Sequence, residues 1–231
     1  MSTFSSRLAA VRARIAAAAH SAGRSETEIS LLAVSKTWPV AAILEAREAG
    51  LTAFGESYVQ EAVAKIDALR ASGIEWHHIG AVQRNKTRVI ARDFAWVHGV
   101  ERADIAERLA EARLETHATP LDVCLQINPG GEASKHGVAP EQAFALASTV
   151  AGLRGIRLRG LMAIPRASDD FAEQRAQFHV VRVLFDELNA QGFSLDTLSM
   201  GMSGDLEAAI AEGATMVRIG TALFGPRPRN D

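Results

Sequence analysis

Short apolar segments that alternate with helix-like segments limit most strongly what this chain can fold into. Eight segments are short and rich in apolar and β-branched residues, a pattern typical of buried parallel strands. Most of the intervening segments show helical spacing. One predicted helix, for example, begins near Pro39 and ends near Gly50, residue types that favour those two positions. The candidate strands are residues 30–34, 53–55, 76–79, 96–99, 122–127, 157–163, 197–200 and 216–219.

This alternation over 231 residues predicts a single (β/α)8 barrel of the TIM type. The alternative is a doubly wound open sheet. However, no Gly-x-Gly-x-x-Gly follows the first candidate strand and no Walker-type loop is present. Residues 1–22 predict an extra amino-terminal helix that covers the bottom of the barrel or packs against its side. We expect residues 1–231 to form one domain and residues 226–231 to be a flexible tail.

Composition and charge exclude several classes of function. The net charge of −2 gives no electrostatic reason to expect nucleic acid or an anionic membrane as a partner. Cys124 is the only cysteine, so no intrachain disulfide is possible, and its strand-like setting predicts an inert core thiol. No apolar stretch approaches the ~20 residues that cross a bilayer, and the amino terminus lacks a hydrophobic signal core. We therefore expect a soluble, cytoplasmic protein.

Lys36 is the first candidate for chemistry, because it follows the first candidate strand directly. In a barrel of this kind, functional residues lie at the carboxyl ends of the strands. An amine in that position is poorly hydrated, which favours its neutral, nucleophilic form and allows a Schiff base with a carbonyl compound. A lysine after a strand can equally turn outward into solvent. The rest of the chain has to decide between these interpretations.

The loops after the seventh and eighth candidate strands have the composition of an anion site. Ser203 and Thr221 offer hydroxyl groups, and Gly201 and Gly220 would let the backbone approach an anion. Arg218 adds a permanent positive charge nearby. Taken singly, each loop could be an ordinary turn with a capping hydroxyl. Together they occupy the two positions at which barrels frequently bind phosphate, which favours a phosphate site.

A lysine opposite a phosphate site fits pyridoxal 5′-phosphate (PLP), whose aldehyde needs an amine and whose phosphate needs such loops. The pyridine nitrogen of this cofactor would then need a partner on its remaining side. A guanidinium can only donate hydrogen bonds, so Arg218 in that place would keep the ring nitrogen unprotonated. The result would be a weak electron sink, suited to limited carbanion chemistry or to simple carriage of the cofactor.

Further motifs extend this interpretation to a family. With the sequence around Lys36 and the last two loops, they closely resemble the YggS/PROSC family of pyridoxal phosphate-binding proteins, over nearly the whole chain. The resemblance implies one barrel similar to the amino-terminal domain of alanine racemases. The motifs are Phe54-Gly55-Glu56-Ser57-Tyr58-Val59-Gln60-Glu61, His77-His78-Ile79-Gly80-Ala81-Val82-Gln83-Arg84-Asn85-Lys86, Asn128-Pro129-Gly130-Gly131-Glu132-Ala133-Ser134-Lys135-His136-Gly137 and Met162-Ala163-Ile164-Pro165.

The resemblance also implies roles for individual residues. In the family, the lysine matching Lys36 forms the aldimine with PLP. The serine matching Ser203 and the pair matching Gly220-Thr221 hold the phosphate, and the arginine matching Arg218 lies beside the pyridine ring. The predicted cofactor-binding residues are Lys36, Ser57, Met202, Ser203, Arg218, Gly220 and Thr221.

Ser57 differs from the family pattern, because family members usually have asparagine at this position. Serine is shorter and offers one hydroxyl instead of an amide. His77 and His78 are adjacent in a candidate strand and point to opposite faces, which disfavours a shared metal and predicts core or barrel-lining histidines. The basic cluster within residues 84–92 is either a solvated helix face or an anion site.

The motifs do not by themselves decide whether the protein carries PLP or catalyses a reaction with it. The resemblance places the second catalytic acid of racemases, a tyrosine, in a further domain, which we expect this chain to lack. Tyr58 is the only tyrosine present. We therefore expect a monomeric protein that buffers PLP and delivers it to apo-enzymes, with indirect effects on amino-acid metabolism. The alternatives are a PLP-dependent racemase of unknown substrate and an aldolase-like barrel.

Overall fold

The structure, a computed structural model, describes residues 3–116, 118–131 and 136–226. Over these ranges the eight candidate strands all form, and they close into a parallel barrel in the order β1 to β8. The predicted (β/α)8 barrel is therefore confirmed, and the open sheet is excluded because β8 pairs with β1. The strands are β1 Ser30–Val34, β2 Ala53–Glu56, β3 Glu75–His78, β4 Trp96–Val100, β5 Leu121–Ile127, β6 Ile156–Ala163, β7 Thr197–Ser199 and β8 Met216–Ile219.

Helices fill the connections and cover the outside of the barrel. Their buried positions recur at helical spacing, as Phe178, Val181, Phe185 and Leu188 do in the longest one. The described helices are α1 Phe4–Ser21, α2 Val40–Glu48, α3 Val59–Ala68, α4 Thr87–Asp93, α5 Ala103–Glu115, α6 Pro140–Ala151, α7 Phe171–Ala190, α8 Leu206–Ala211 and α9 Thr221–Phe224.

The amino-terminal helix packs against the side of the barrel rather than under its bottom. It lies on α8 and α9, the helices that follow β7 and β8. The rings of Phe4 and Phe224 meet at 5.5 Å between centroids, and Leu8, Val11 and Ile15 bury the rest of the apolar stripe. The predicted helix over 1–22 is therefore α1, and it lies beside the loops that follow β7 and β8. Most of the predicted flexible tail, residues 227–231, lies outside the described residues.

The interior of the barrel is unusually polar. Such interiors are generally filled with Val, Ile and Leu. Here His77, His98, Ser199 and Arg218 are buried inside, beside a small apolar cluster formed by Trp96, Cys124 and Met162. The neighbouring His78 faces outward.

The prediction that adjacent histidines occupy opposite faces is confirmed by the contacts of His78, which packs edge-on against the ring of Phe94. The prediction for Cys124 also holds: the thiol is fully buried, and burial raises its pKa. Among the described residues, we find no helix with the length and hydropathy of a membrane span. The same residues contain no group of three or more His, Cys, Asp or Glu side chains that could hold a metal ion.

Candidate functional site

A cavity of about 260 Å³ opens at the carboxyl end of the barrel strands. It brings together every cofactor-binding residue predicted from the sequence. Four further residues complete its wall: Val34, Ile79, Ile164 and Gly204. Its rim is partly apolar, because Ile164 and Met202 expose 41% and 37% of their surfaces. The predicted site residues lining the cavity are Lys36, Ser57, Met202, Ser203, Arg218, Gly220 and Thr221.

Lys36 lies at the second position of a tight turn that follows β1. The Trp38 N–H donates to the Ser35 carbonyl oxygen at 3.0 Å and closes the turn. Thr37, at the third position, has a φ of 71°, which a type II turn requires and which only glycine adopts without strain. The Lys36 Nζ lies 3.4 Å from Ser57 Oγ across the end of β2. The lysine amine therefore projects into the cavity from a turn whose backbone is held in a strained conformation.

A buried cluster of charged side chains holds that turn from below. The Lys65 Nζ donates to the Ser35 carbonyl oxygen at 2.9 Å, to Glu56 Oε1 at 2.8 Å and to Glu61 Oε1 at 2.5 Å. The Ser35 hydroxyl donates to Glu56 at 2.6 Å, and the Thr37 N–H donates to Glu61 at 2.6 Å. The residues on both sides of Lys36 are thus tied to one lysine and two glutamates.

Within this cluster Glu56 and Lys65 are almost fully buried. Burial raises the pKa of Glu56, while the hydrogen bonds from Lys65 and Ser35 act in the opposite direction. A buried carboxylate of this kind is tolerated because the lysine neutralises it at close range. The sequence analysis did not identify the cluster. Its signal is a glutamate at the end of β2, with a second glutamate and a lysine four residues apart on α3.

The opposite wall of the cavity is formed by the loops after β7 and β8. The Ala222 N–H donates to Ser203 Oγ at 3.3 Å and so joins the two loops. Arg14, on α1, donates to the Ser203 carbonyl oxygen at 3.0 Å. The Arg14 guanidinium also contacts both carboxylate oxygens of Glu207, at 2.7 and 2.9 Å. The amino-terminal helix therefore fixes the Ser203 loop, a role that the sequence did not reveal.

Arg218 lies 4% exposed at the inner end of the cavity. Its Nη1 donates to the carbonyl oxygen and the hydroxyl of Ser199, and its Nη2 donates to the Ala163 carbonyl oxygen at 2.9 Å. Burial lowers the pKa of Arg218 to about 10, so the guanidinium stays charged near neutral pH. The cavity thus has an amine at its mouth, a fixed cation at its base and hydroxyl groups along the wall.

Glycines bring the strand ends close enough to form this site. A Cβ on Gly80 would lie 2.7 Å from the Ser57 carbonyl oxygen, and one on Gly99 would lie 2.5 Å from the Gly80 carbonyl oxygen. These close approaches explain why both positions are occupied by glycine. Gly201 has a different role from the expected approach to an anion. It does not line the cavity, its φ is 93°, and a Cβ there would lie 2.7 Å from the Cβ of Ala209, so this glycine allows a tight turn against α8.

Two other candidates from the sequence lie apart from the cavity. Tyr58 is 53% exposed at the start of α3 and is not part of the cavity wall. In the basic cluster, Arg88 pairs with Glu115 at 3.1 Å and Arg92 pairs with Asp93 at 2.7 Å. These partners favour the solvated-face interpretation of the cluster.

Comparison with known proteins gives concordant results. The family model for the alanine racemase N-terminal domain matches residues 6–228. A pyridoxal phosphate homeostasis protein from Pseudomonas aeruginosa is 56% identical over 227 residues, 98% of this chain and 97% of that protein. The protein of the same name from Escherichia coli K12 is 49% identical over 230 residues, 98% of each. PipY of Synechococcus elongatus, solved with PLP bound, has a TM-score of 0.84 and 37% identity, covering 96% of this chain and 100% of that one.

Proposed function

Because this chain belongs to the pyridoxal phosphate homeostasis protein family, we propose that it binds PLP beside Lys36 and buffers or delivers it inside the cell. The observation that carries this proposal is one cavity with an amine on one side and the two-loop wall of Ser203 and Thr221 on the other. Its volume of about 260 Å³ is slightly below the ~300 Å³ at which small-molecule sites commonly begin, as suits a small cofactor.

The donor groups of the cavity fit the cofactor part by part. When bound, PLP supplies an aldehyde, which an amine can hold covalently. Lys36 would hold this aldehyde, while Ser203, Gly220 and Thr221 would hold the phosphate. Arg218 would lie beside the pyridine ring, where its N–H groups can only donate, so the ring nitrogen would accept a hydrogen bond and remain unprotonated. Ser57 would contact the Lys36 side of the cofactor and Met202 the rim side.

The composition of the cavity wall supports a holding role over a catalytic one. Apart from Lys36 and Arg218, the described wall consists of hydroxyl, apolar and glycine residues. Racemisation needs an acid–base group on each face of the substrate carbon, and a positioned second group contributes about 10²–10⁴-fold. The alternative proposal, a racemase-like PLP enzyme, would need Tyr58 or a group from another chain to approach the site.

We test the binding proposal on purified protein mixed with PLP. Wild-type protein is expected to show the visible absorbance of lysine-bound PLP, and Lys36→Ala to lose it. The chain has only four lysines, so borohydride reduction and peptide mass mapping identify the modified one. Lys86→Ala is the matched control and should retain the absorbance. Modification of any of the other three lysines in place of Lys36 would refute the assignment.

Delivery is tested separately from binding. PLP-loaded protein is mixed with a PLP-dependent apo-enzyme across a size-selective filter and in direct contact. Faster activation on contact supports transfer to apo-enzymes as partners, whereas equal rates mean that the protein only buffers free cofactor. Exchange of α-hydrogen for solvent deuterium in amino acids, at rates above those of free PLP, would favour the racemase-like alternative.

We further propose that residues 1–231 act as one PLP-binding domain and as a monomer, because all seven predicted cofactor-binding residues already meet in one cavity of the barrel. Light scattering coupled to gel filtration measures this directly, and a dimer that persists on dilution would contradict it. Delivery to newly made apo-enzymes would take place in the cytoplasm, which cell fractionation tests.

A further inference from the structure

A continuous series of hydrogen bonds runs through the barrel from Arg218 to Glu75, at the opposite end. Arg218 Nη1 lies 2.9 Å from Ser199 Oγ, which lies 2.8 Å from His98 Nδ1. His98 Nε2 lies 3.0 Å from His77 Nδ1, and His77 Nε2 lies 2.9 Å from Glu75 Oε1. We call these five residues the interior chain. Its members come from β8, β7, β4 and β3, so it crosses the barrel.

The two end groups determine the direction of every bond. The Glu75 carboxylate can only accept, so a neutral His77 donates to it from Nε2 and accepts at Nδ1 from His98 Nε2. A neutral His98 with its hydrogen on Nε2 then accepts at Nδ1 from the Ser199 hydroxyl. At the other end, the guanidinium of Arg218 can only donate, so Ser199 Oγ accepts from it. The ring hydrogens of both histidines are thereby assigned to Nε2.

The surroundings keep both histidines neutral and fixed in orientation. Burial lowers the pKa of His77 and lowers that of His98 well below its usual range. The ring of Trp96 stacks on His77 at 5.4 Å with 6° between the planes, and the guanidinium of Arg159 lies 4.8 Å from the Trp96 centroid. Bonds that all run in one direction polarise one another, which strengthens the series.

We propose that the interior chain orients the Arg218 guanidinium towards the cofactor cavity, and that His98 and His77 are positioning residues for it. A guanidinium has five N–H groups. The carbonyl oxygen and the hydroxyl of Ser199 accept both Nη1 hydrogens, and the Ala163 carbonyl oxygen accepts one Nη2 hydrogen. The Nε hydrogen and the second Nη2 hydrogen remain for the cavity side. The consequence for PLP rests on the proposed function, whereas the arrangement of the interior chain does not.

The first experiment uses wild-type protein without PLP, labelled with ¹⁵N in the histidine rings. Long-range ¹H–¹⁵N spectra distinguish the two neutral tautomers. We expect both His77 and His98 to be neutral with the hydrogen on Nε2 near neutral pH. A hydrogen on Nδ1 of His98, or a charged ring at either position, would overturn the directional series. No substitution is needed, so a folding defect cannot obscure the result.

The second experiment breaks the series at Ser199, with a matched pair of variants. Ser199→Ala removes the hydroxyl but keeps the main-chain carbonyl that Arg218 also contacts. We expect it to shift the His98 Nδ1 resonance, because that nitrogen loses its hydrogen-bond donor while Nε2 keeps its hydrogen, and to raise the Kd for PLP about tenfold, the lower end of the range for groups that orient metal ligands. Ser199→Thr retains a hydroxyl and is expected to restore both properties.

His98→Phe tests the centre of the series, with His78→Phe as control, because His78 is equally buried but faces out of the barrel. Only His98→Phe is expected to weaken PLP binding and to shift the absorbance maximum of bound PLP. Equal effects of the two substitutions would reduce His98 to a structural role.

If wild-type protein binds no PLP but shows the assigned tautomers, the proposed function fails and the interior chain stands. If PLP binding is unchanged in Ser199→Ala and His98→Phe, positioning fails and the function stands.

Discussion

The Lys65 amine donates to the main-chain carbonyl oxygen of Ser35 at 2.9 Å, one residue before the lysine that projects into the cavity. This contact ties α3 to the turn that ends β1. The same amine neutralises the buried Glu56, whose other contact is the Ser35 hydroxyl. Lys36 is thus placed by a neighbouring lysine that does not itself reach the cavity wall. The buried pair links the stability of the fold to the geometry of the site.

Replacing Lys65 with methionine is expected to destabilise the protein strongly. Methionine keeps the length of the side chain but leaves Glu56 without its cation, and breaking a buried pair in this way costs about 3–5 kcal/mol. Urea denaturation measures the loss. Lys86→Met, at a partly exposed position, is the control and should change the free energy of unfolding by no more than about 0.5 kcal/mol.

The same variant has a pH dependence whose sign follows from Glu56. The pKa of Glu56 is raised in the folded state, so this carboxyl group stabilises the fold fully below about pH 4.5. That stabilisation is lost as the pH rises through the folded-state pKa. Lys65 lowers that pKa, so removing Lys65 raises it further. The stability difference between wild type and Lys65→Met should therefore be larger at about pH 8 than at about pH 5. A difference that shrinks with rising pH would contradict the assigned pairing.

Replacing Arg14 with methionine is expected to affect ligand binding more than stability. The Arg14–Glu207 pair is about 40% exposed, and such pairs contribute at most about 1 kcal/mol. The contact between Arg14 and the Ser203 carbonyl oxygen orders the loop after β7, and ordering a loop group on binding costs about 0.5–1.5 kcal/mol. The Kd for PLP should rise about two- to tenfold, as measured by fluorescence titration.

Glu207→Gln separates the two contacts of Arg14. It removes the ion pair but leaves the arginine able to donate to Ser203. Its Kd for PLP should stay closer to that of wild type than the Kd of Arg14→Met does. An equal loss in both variants would show that the ion pair, rather than the loop contact, matters.

The residues recognisable from sequence were those whose position along the chain already indicates their place in the fold. Lys36 and Arg218 belong to strand-end segments, and a barrel brings all strand ends to one rim. The groups that hold them could not be recognised in this way. Arg14 lies 189 residues from Ser203, and His98 lies 101 residues from Ser199. Their contacts depend on which surface α1 covers and on closure of the sheet.

The sequence left two positions open for the amino-terminal helix for the same reason, because its contacts are distant along the chain. The apolar stripe of α1 shows which face of the helix is buried, but not against which partner. The partner is decided by Phe224 in α9 and by Glu207 in α8, which receive Phe4 and Arg14. The strand boundaries, by contrast, needed only local information, and they differ from the predicted ones by at most one residue at either end.

Ser57 gives a test of a position at which the resemblance leads us to expect asparagine in the family. Its Oγ lies 3.4 Å from Lys36 Nζ, a long contact. A typical hydrogen bond contributes about 0.5–1.5 kcal/mol, so Ser57→Ala should raise the Kd for PLP about two- to tenfold. Ser57→Asn restores the longer amide and should bind PLP at least as tightly as wild type. Weaker binding by Ser57→Asn would mean that the surrounding wall has adapted to serine.

Gly80 provides an independent route to the same contact. A methyl group there would press on the Ser57 carbonyl oxygen at 2.7 Å and move the backbone that carries the hydroxyl. Gly80→Ala should therefore weaken PLP binding at least as much as Ser57→Ala does. Gly152→Ala is the control, because Gly152 lies outside the cavity wall and a Cβ there would make only ordinary contacts, at 3.5 Å or more. Unchanged binding in Gly80→Ala would show that the site tolerates movement of Ser57.

The buried histidines predict a loss of stability on mild acidification. Burial lowers the pKa of His77 and His98, and it lowers that of His78 to about 4. A depressed folded-state pKa gives stability that is present above the unfolded value of about 6.5 and is lost as the pH falls. Below that pH, unfolding takes up a proton at each of these rings, which lowers the free energy of unfolding.

His78→Phe isolates one of these rings without touching the interior chain. Between about pH 6 and about pH 4.5 the folded state keeps His78 neutral while the unfolded chain protonates it. Wild-type stability should therefore fall with decreasing pH more steeply than that of the variant, by roughly 1.2 kcal/mol per pH unit over this interval. Urea denaturation at several pH values measures both slopes, and subtracting them cancels the carboxylates that the two proteins share. Parallel slopes would mean that His78 is already protonated in the fold, which its packing against Phe94 argues against.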